Sequence, residues 1–433
     1  MHLCGFVAAF CWVGFFRAKT NVKGVKSNYK QVGPGSLSVN TKMVRSLLLV
    51  AGLLSTAHGR VHELIVGNFA NNVLYTLSFD DKTYSLDLLA NISVATKNSW
   101  ISFNHDKTTL YGTDIIYTPA EENWTKPPVY VSHTINNSSS ITVDKVLTGK
   151  KGCNGTSIYI VADMKPPYNV YGVDFWGAPG CGTVMSVDEN GALDKTVQDY
   201  NFAPGSNVHG TALSPDSKFI YSADMGNNSI WTHPVDRRTG KLGEPVSRID
   251  GPSEHSEPRH VAVHQQSGKA LYTVTEITSQ VAWYKLDRRT GIPQPQKNVY
   301  SLIPEGLDVK GYRGDEIAVS PSGKYLWATT RSRDVTKPGF LSVFKLDKKG
   351  AIVKQNFIRR TSSSGGAANA VTPMDKSDRF VALTDSADGF VQIWELAEDG
   401  ESAHVVAHIS LKDKGNARYH SGCCANAVWL TSY

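Results

Sequence analysis

The stretch TALSPDSKFIYSADMGNNSIWTHPVDRRTG, residues 211–240, sets out one structural phrase. A short run of β-favouring residues leads into a Ser-Pro-Asp turn. A second β-rich run then ends in an acidic residue, and a third closes on Asp-Arg-Arg-Thr-Gly. The phrase recurs. VAVHQQSGKALYTVTE (261–276), IAVSPSGKYLWATTR (317–331) and AVTPMDKSDRFVALTD (370–385) repeat its first two runs. QVAWYKLDRRTG (280–291), LSVFKLDKKG (341–350) and VQIWELAEDG (391–400) repeat its third. The Asp-Arg-Arg-Thr-Gly pentad occurs at 236–240 and again at 287–291, where a hairpin needs a glycine turn.

Weaker copies lie upstream: WISFNHDKTTLYGTD (100–114), then SIYIVAD (157–163) followed by GTVMSVDENG (182–191). The last copy, NAVWL at 426–430, is a first strand with nothing after it. First strands therefore start near 101, 158, 211, 261, 317, 369 and 426. Intervals of roughly 50–58 residues suit a four-stranded blade with its loops. Residues 61–90 supply three strands with no first strand ahead of them, so the terminal NAVWL completes their blade. The expectation is an all-β, seven-bladed β-propeller over residues 60–433, closed by pairing the N-terminal strands with the C-terminal one. An open pair of β-sheets would leave the orphan strand unexplained.

The 433 residues, 41% apolar and 19% charged, exclude a collagen, a wholly disordered chain and a polytopic membrane protein. The net charge of +6 suggests nucleic acid, but residues 1–59 hold seven basic side chains and no acidic one. Without them 38 positive groups face 39 negative ones, so no nucleic-acid partner is expected. Those residues read as a leader. Met43 and Arg45 precede the apolar run Leu47–Leu54, and Ala57-His58-Gly59 has the small residues a signal peptidase reads. A signal peptide over 43–59 is expected, with residues 1–42 as a gene-model extension. The apolar run is too short to span a bilayer, so the mature chain is expected to be secreted, off the membrane. Six sequons agree with export, at Asn91, Asn123, Asn136, Asn137, Asn154 and Asn227, and N-glycans are expected there. Four cysteines remain after the leader: Cys153 and Cys181 are the preferred disulfide, while adjacent Cys423 and Cys424 either bridge or stay free.

Blade geometry locates the chemistry. The start of a first strand and the end of a second lie on the same face of the ring, around the central channel. His209 with Asp224, Arg259 and His260 with Glu276, Asp315 and Glu316 with Arg331, and Asn369 with Asp385 land there, then Asn426. Asp114 and Asp163 are the equivalents in weaker blades. The recurring Asp224, Asp385, Asp114 and Asp163 read as turn caps, and Asn369 and Asn426 as ties between inner strands. Arg259 and His260 are adjacent on a strand and expected to point opposite ways, with His260 buried in blade packing. Lys310, His255 and His233 read as solvent-facing loop residues, and Arg313 as a loop residue either reaching the same mouth or simply exposed. His209, Arg259, Glu276 and Arg331 break the repeat's own pattern with ionisable groups and are the candidate catalytic residues. Arginines facing a closed axis need anions to meet. A rim arginine such as Arg331 is expected to matter little to folding. No nucleophile elbow, P-loop, dinucleotide fingerprint or zinc spacing is present.

Residues 62–430 resemble the seven-bladed lactonase family, and within it the fungal carboxy-cis,cis-muconate cyclase branch. Val208-His209-Gly210, Glu257-Pro258-Arg259-His260, Thr273-Val274-Thr275-Glu276 and Thr329-Thr330-Arg331 carry the resemblance, with Gly365-Gly366, Asn369-Ala370-Val371 and Asn426-Ala427-Val428-Trp429. It implies a site of one His, two Arg and one Glu, matched here by His209, Arg259, Arg331 and Glu276. It also implies a cofactor-independent, metal-free lactonising isomerase acting on a small anionic carboxylate such as 3-carboxy-cis,cis-muconate. The family's other activity, hydrolysis of a sugar or aryl lactone, uses the same groups. A secreted binding propeller or antigen without turnover is the third possibility.

Overall fold

The computed structural model describes residues 59–115, 127–149, 154–178, 180–411 and 423–431. The expected leader up to His58, Asn123 and Cys153 fall outside these residues, as does the side chain of Asn154. Among the described residues no helix is long and apolar enough to cross a membrane.

Among the described residues twenty-eight strands form seven antiparallel four-stranded sheets. Strand Ala427–Thr431 pairs with Val61–Val66, which pairs with Val73–Asp80 and then Leu86–Ser93. The ring is thus a seven-bladed β-propeller closed by its two ends, as the orphan strand requires. Inner strands begin at Ile101, Asn154, Val208, Pro258, Tyr312, Val371 and Ala427, within five residues of the expected starts.

The repeated pentads do the same work twice. Asp236 Oδ1 accepts from the Arg238 N–H and Asp287 Oδ1 from the Arg289 N–H, both at 2.8 Å. Gly240 and Gly291 then take φ of +68° and +74°, where a side chain would be strained. Between blades the strands of adjacent sheets interdigitate through apolar side chains. Tyr272, Val274, Ile317, Leu326 and Phe344 form one such layer, and Leu64, Phe79, Phe380 and Trp429 form the layer at the closure. This packing holds the inner strands rigid around the axis.

Several expectations are corrected here. His233 lies on strand Ser229–Pro234 and is buried between Tyr200, Phe202 and Trp231, not on a solvent-facing loop. Its strand alternation points it into the neighbouring blade. Asp163 is not at the channel mouth. It follows a first strand, Asn154–Ala162, rather than a second, so it sits on the opposite face of the ring and pairs with Arg237 at 2.7 Å. Asp224 and Asp385 do cap turns: Asp224 accepts from the N–H groups of Asn207 and Asn227, and Asp385 from that of Asp388. Asn426 bonds both the N–H and the C=O of Ile101 in the next blade, each at 2.9 Å. Cys423 and Cys424 are joined by a disulfide, and Cys181 is disulfide-bonded with its expected partner outside the described residues.

Candidate active site

Three neighbouring inner strands, Val208–Leu213, Pro258–Val263 and Tyr312–Val319, carry a β-bulge at the same place. The pairing register shifts between Val208 and Gly210, between Pro258 and His260, and between Gly314 and Ile317. A bulge interrupts the period-two alternation and re-aims side chains. For that reason Arg259 and His260 both turn to the channel, against the expectation of opposite faces. Asp315 and Glu316 do the same.

Glycines make room for these turns. A Cβ on Gly314 would lie 2.2 Å from the Thr275 carbonyl oxygen, and one on Gly210 would lie 2.5 Å from His260 Cδ2.

His209, Arg259, Glu276 and Arg331 line one cavity of about 690 Å³ at the mouth where first strands begin. None is a solvated rim residue, since each is 6–8% exposed. Arg259 Nε lies 3.1 Å from Glu276 Oε2, and its Nη1 lies 2.9 Å from Asp315 Oδ1. Arg331 repeats the pattern, with Nη2 3.2 Å from Glu276 Oε2 and Nε 2.9 Å from Asp315 Oδ1. Two guanidinium groups are therefore clamped between two carboxylates, and Arg331 Nη1 also donates to the Ala367 carbonyl at 2.6 Å. These are the anions that buried arginines require. Burial alone would raise Asp315, but Arg259, Arg331 and the Asn369 N–H outweigh it and hold the carboxyl below its ordinary range.

Arg313 joins the site. It lies on a strand and reaches Glu276 Oε1 at 3.4 Å while staying 40% exposed, which leaves it open to a ligand. The lining carries Arg259, Arg313, Arg331 and Arg333 against Glu257 and Glu276, so the mouth is positive overall. Phe175 and Trp176 supply an apolar wall.

His209 Nδ1 hydrogen-bonds His260 Nε2 at 2.9 Å, which leaves its Nε2 as the nitrogen available to a ligand. Burial, then the charge of Arg259, pushes both imidazoles well below their ordinary range. His260 is thus more than packing: its Nδ1 lies 2.7 Å from Glu316 Oε2. Asp315, Glu316 and His260 sit at rim positions of the repeat, yet their pairing spans strands more than fifty residues apart and leaves no local signal. Among the described residues no group of three or more His, Cys, Asp or Glu is placed to hold a metal ion.

Residues 63–362 match the family model for the seven-bladed β-propeller lactonase. The chain belongs to that family. Over 383 residues, 85% of this chain and 99% of the relative, it is 30% identical to the carboxy-cis,cis-muconate cyclase of Neurospora crassa. It is 28% identical to muconate cycloisomerase 1 of Cutaneotrichosporon cutaneum, over 78% of this lactonase-family chain and 91% of that one. Among solved structures, the periplasmic gluconolactonase of Pseudomonas aeruginosa superposes with a TM-score of 0.69 at 15% identity, covering 86% of this chain and 99% of that one. That last likeness is one of fold.

Proposed function

We propose that the protein is a cofactor-independent lactonising isomerase that closes 3-carboxy-cis,cis-muconate, or a similar polycarboxylate, to its lactone. The observation that carries this reading is the excess of guanidinium groups over carboxylates in one cavity that also holds an available imidazole nitrogen. Arginines grip carboxylates in a fixed fork, and half-exposed Arg313 is the natural first contact.

In the proposed step one substrate carboxylate oxygen adds to the conjugated double bond and forms the ring C–O bond. The displaced electron pair moves onto the conjugated carboxyl group as an enolate-like dianion. Arg259 and Arg331 stabilise that charge where it develops. His209 Nε2–H then gives its proton to the carbon, and the lactone forms with net uptake of one proton. Both Glu276 oxygens are engaged by guanidinium groups, so its proposed part is to hold the arginines in place. Lactone hydrolysis is a separate step in which water adds to the lactone carbonyl carbon, the same guanidinium groups stabilise the oxyanion, and the ring oxygen leaves with a proton from the water as a hydroxyl.

Export belongs to the same reading. Asn91, Asn136 and Asn137 are exposed, as glycan acceptors must be, and the sequence ahead of Arg60 reads as a leader.

The test is to offer the full-length protein 3-carboxy-cis,cis-muconate and follow loss of the diene absorbance. Turnover is expected in the wild type, with a loss of at least ~10²-fold in Arg259→Ala and Arg331→Ala. Arg331→Ala is also expected to lower stability by ~3–5 kcal/mol in a denaturant titration, because it strips one cation from buried Asp315. The buried clamp argues against the expectation that Arg331 matters little to folding. Acid release from an aryl or sugar lactone without diene loss would make it a lactonase. No turnover of either would make it a binding propeller.

A further inference from the structure

Three ionisable side chains stand in a row beneath the cavity. His209, His260 and Glu316 come from the bulges of three successive blades and are 7%, 1% and 6% exposed. His209 Nδ1 meets His260 Nε2, and His260 Nδ1 meets Glu316 Oε2. The latter two atoms stand 2.7 Å apart, are shut off from solvent and have no hydrogen-bond partner among the described residues. The row crosses the ring. His209 lines the positive mouth, while Glu316 borders a second depression at the far ends of the first strands. There the rings of Trp100 and Tyr159 close over His260 at 5.0 and 5.3 Å. A charged carboxylate buried at the end of a two-imidazole chain is costly, so this position favours a carboxyl that holds its proton.

We propose that Glu316, His260 and His209 form one proton store for the cavity, in which Glu316 bears the change of charge while His209 makes the exchange with substrate. This rests on the reading of His209 as the group that protonates the substrate carbon. In the loaded chain the Glu316 O–H donates to His260 Nδ1, His260 Nε2–H donates to His209 Nδ1, and His209 Nε2 carries a proton. When that proton passes to carbon, His209 Nδ1 takes the proton of His260 Nε2, and His260 Nδ1 takes that of Glu316. Two N–H bonds and one O–H bond break while one C–H bond and two N–H bonds form, and Glu316 is left as carboxylate. Solvent reloads the chain at His209 Nε2 once product leaves.

The electrostatics favour this route over a simple imidazolium. Arg259 and Arg331 face both imidazoles, with Asp315 and Glu276 behind them, and Asp315 and Arg259 face Glu316. A charged His209 would be a third cation in the clamp, whereas the loaded store is neutral throughout. Burial raises Glu316 well above the ordinary carboxyl range, as a proton-holding terminus needs. Tyr159 contributes no competing charge, since burial pushes its hydroxyl far up.

The full-length protein labelled with ¹⁵N-histidine tests this by long-range ¹H–¹⁵N spectra from pH 5 to 9, read beside the infrared band of a protonated carboxyl. The expected result is that His209 switches from its Nδ1–H to its Nε2–H tautomer as one proton is taken up, with no imidazolium, and that the carboxyl band grows in step. In Glu316→Gln the switch and the part of the band that grows in step with it vanish together, while the carboxyls of Asp385 and Asp174, which burial also raises, keep their own bands in both proteins. With substrate, kcat falls by at least ~10²-fold while KM stays within about twofold. An imidazolium at His209 in the wild type overturns the proposal, and so does a switch or a kcat that Glu316→Gln leaves untouched. The wild-type spectra need no variant, so they decide even if the substitution prevents folding. A chain that switches as described in a protein that turns over no substrate would refute the lactonising reading and leave the store standing.

Discussion

At Asp385 a single carboxyl shows how this ring treats charge away from its axis. Its oxygens are taken by the Ser363 hydroxyl and the Asp388 N–H, and it is buried. Burial dominates and pushes it up to about 6, above the 3.8 of an unperturbed carboxyl. The folded state therefore holds the proton more tightly than the unfolded chain. That contribution is full below about pH 4 and is lost as pH rises through 6. Asp385→Asn, which cannot ionise, is expected to gain ~2–3 kcal/mol relative to wild type between pH 4 and pH 7. Denaturant titrations of the two proteins at both pH values check this, and a constant gap would mean that Asp385 stays ionised. Asp315 is the contrast. It is buried just as deeply, but two guanidinium groups reverse the direction. Position in the repeat marked both residues as rim, while only the partners, remote in sequence, separate a cap from a clamp.

At the scale of the element, the bulges decide what the axis can do. Ordinary alternation would send His260 or Arg259 into the blade, and likewise Glu316 or Asp315. Strand reasoning therefore finds His209, Arg259, Glu276 and Arg331, whose places at strand ends survive a one-residue slip. It also puts His260, Asp315 and Glu316 at the rim, but it assigns His260 to packing and misses how the three pair. Gly210 gives a clean probe, because its backbone is not in the left-handed region and its Cβ space is filled by His260 and the Arg259 carbonyl. Gly210→Ala is expected to displace the His260 ring, lengthen the His209–His260 contact and lower activity by roughly tenfold or more, with a stability loss of ~1–3 kcal/mol. A crystal structure of the variant with an unmoved imidazole and full activity would contradict this. Asp163 was misplaced because SIYIVA is part of one first strand, Asn154–Ala162, and the second strand of that blade is Val170–Ala178.

For the whole molecule, closure rests on a few ties between distant parts of the chain. Asn426 is the clearest, holding both backbone groups of Ile101. Asn426→Ala leaves two buried peptide groups unpaired, and a loss of ~2–4 kcal/mol is expected in equilibrium unfolding. A change below ~0.5 kcal/mol would mean that the seam is held by apolar packing alone. The ring itself was legible because the phrase repeats and one strand is left over, which only closure explains. The leader, by contrast, has no counterpart among the described residues. Its reading stays with composition and with the exposed sequons.

The seam also has a temporal side. Glu63 bonds Thr431 across 368 residues of chain. At a translation rate of roughly 5–20 residues per second, the inner edge of the first sheet waits on the order of 20–70 s for its partner. Throughout that interval the nascent polypeptide offers an unpaired β-edge, and a chaperone or a neighbouring copy can reach it before its own last strand does.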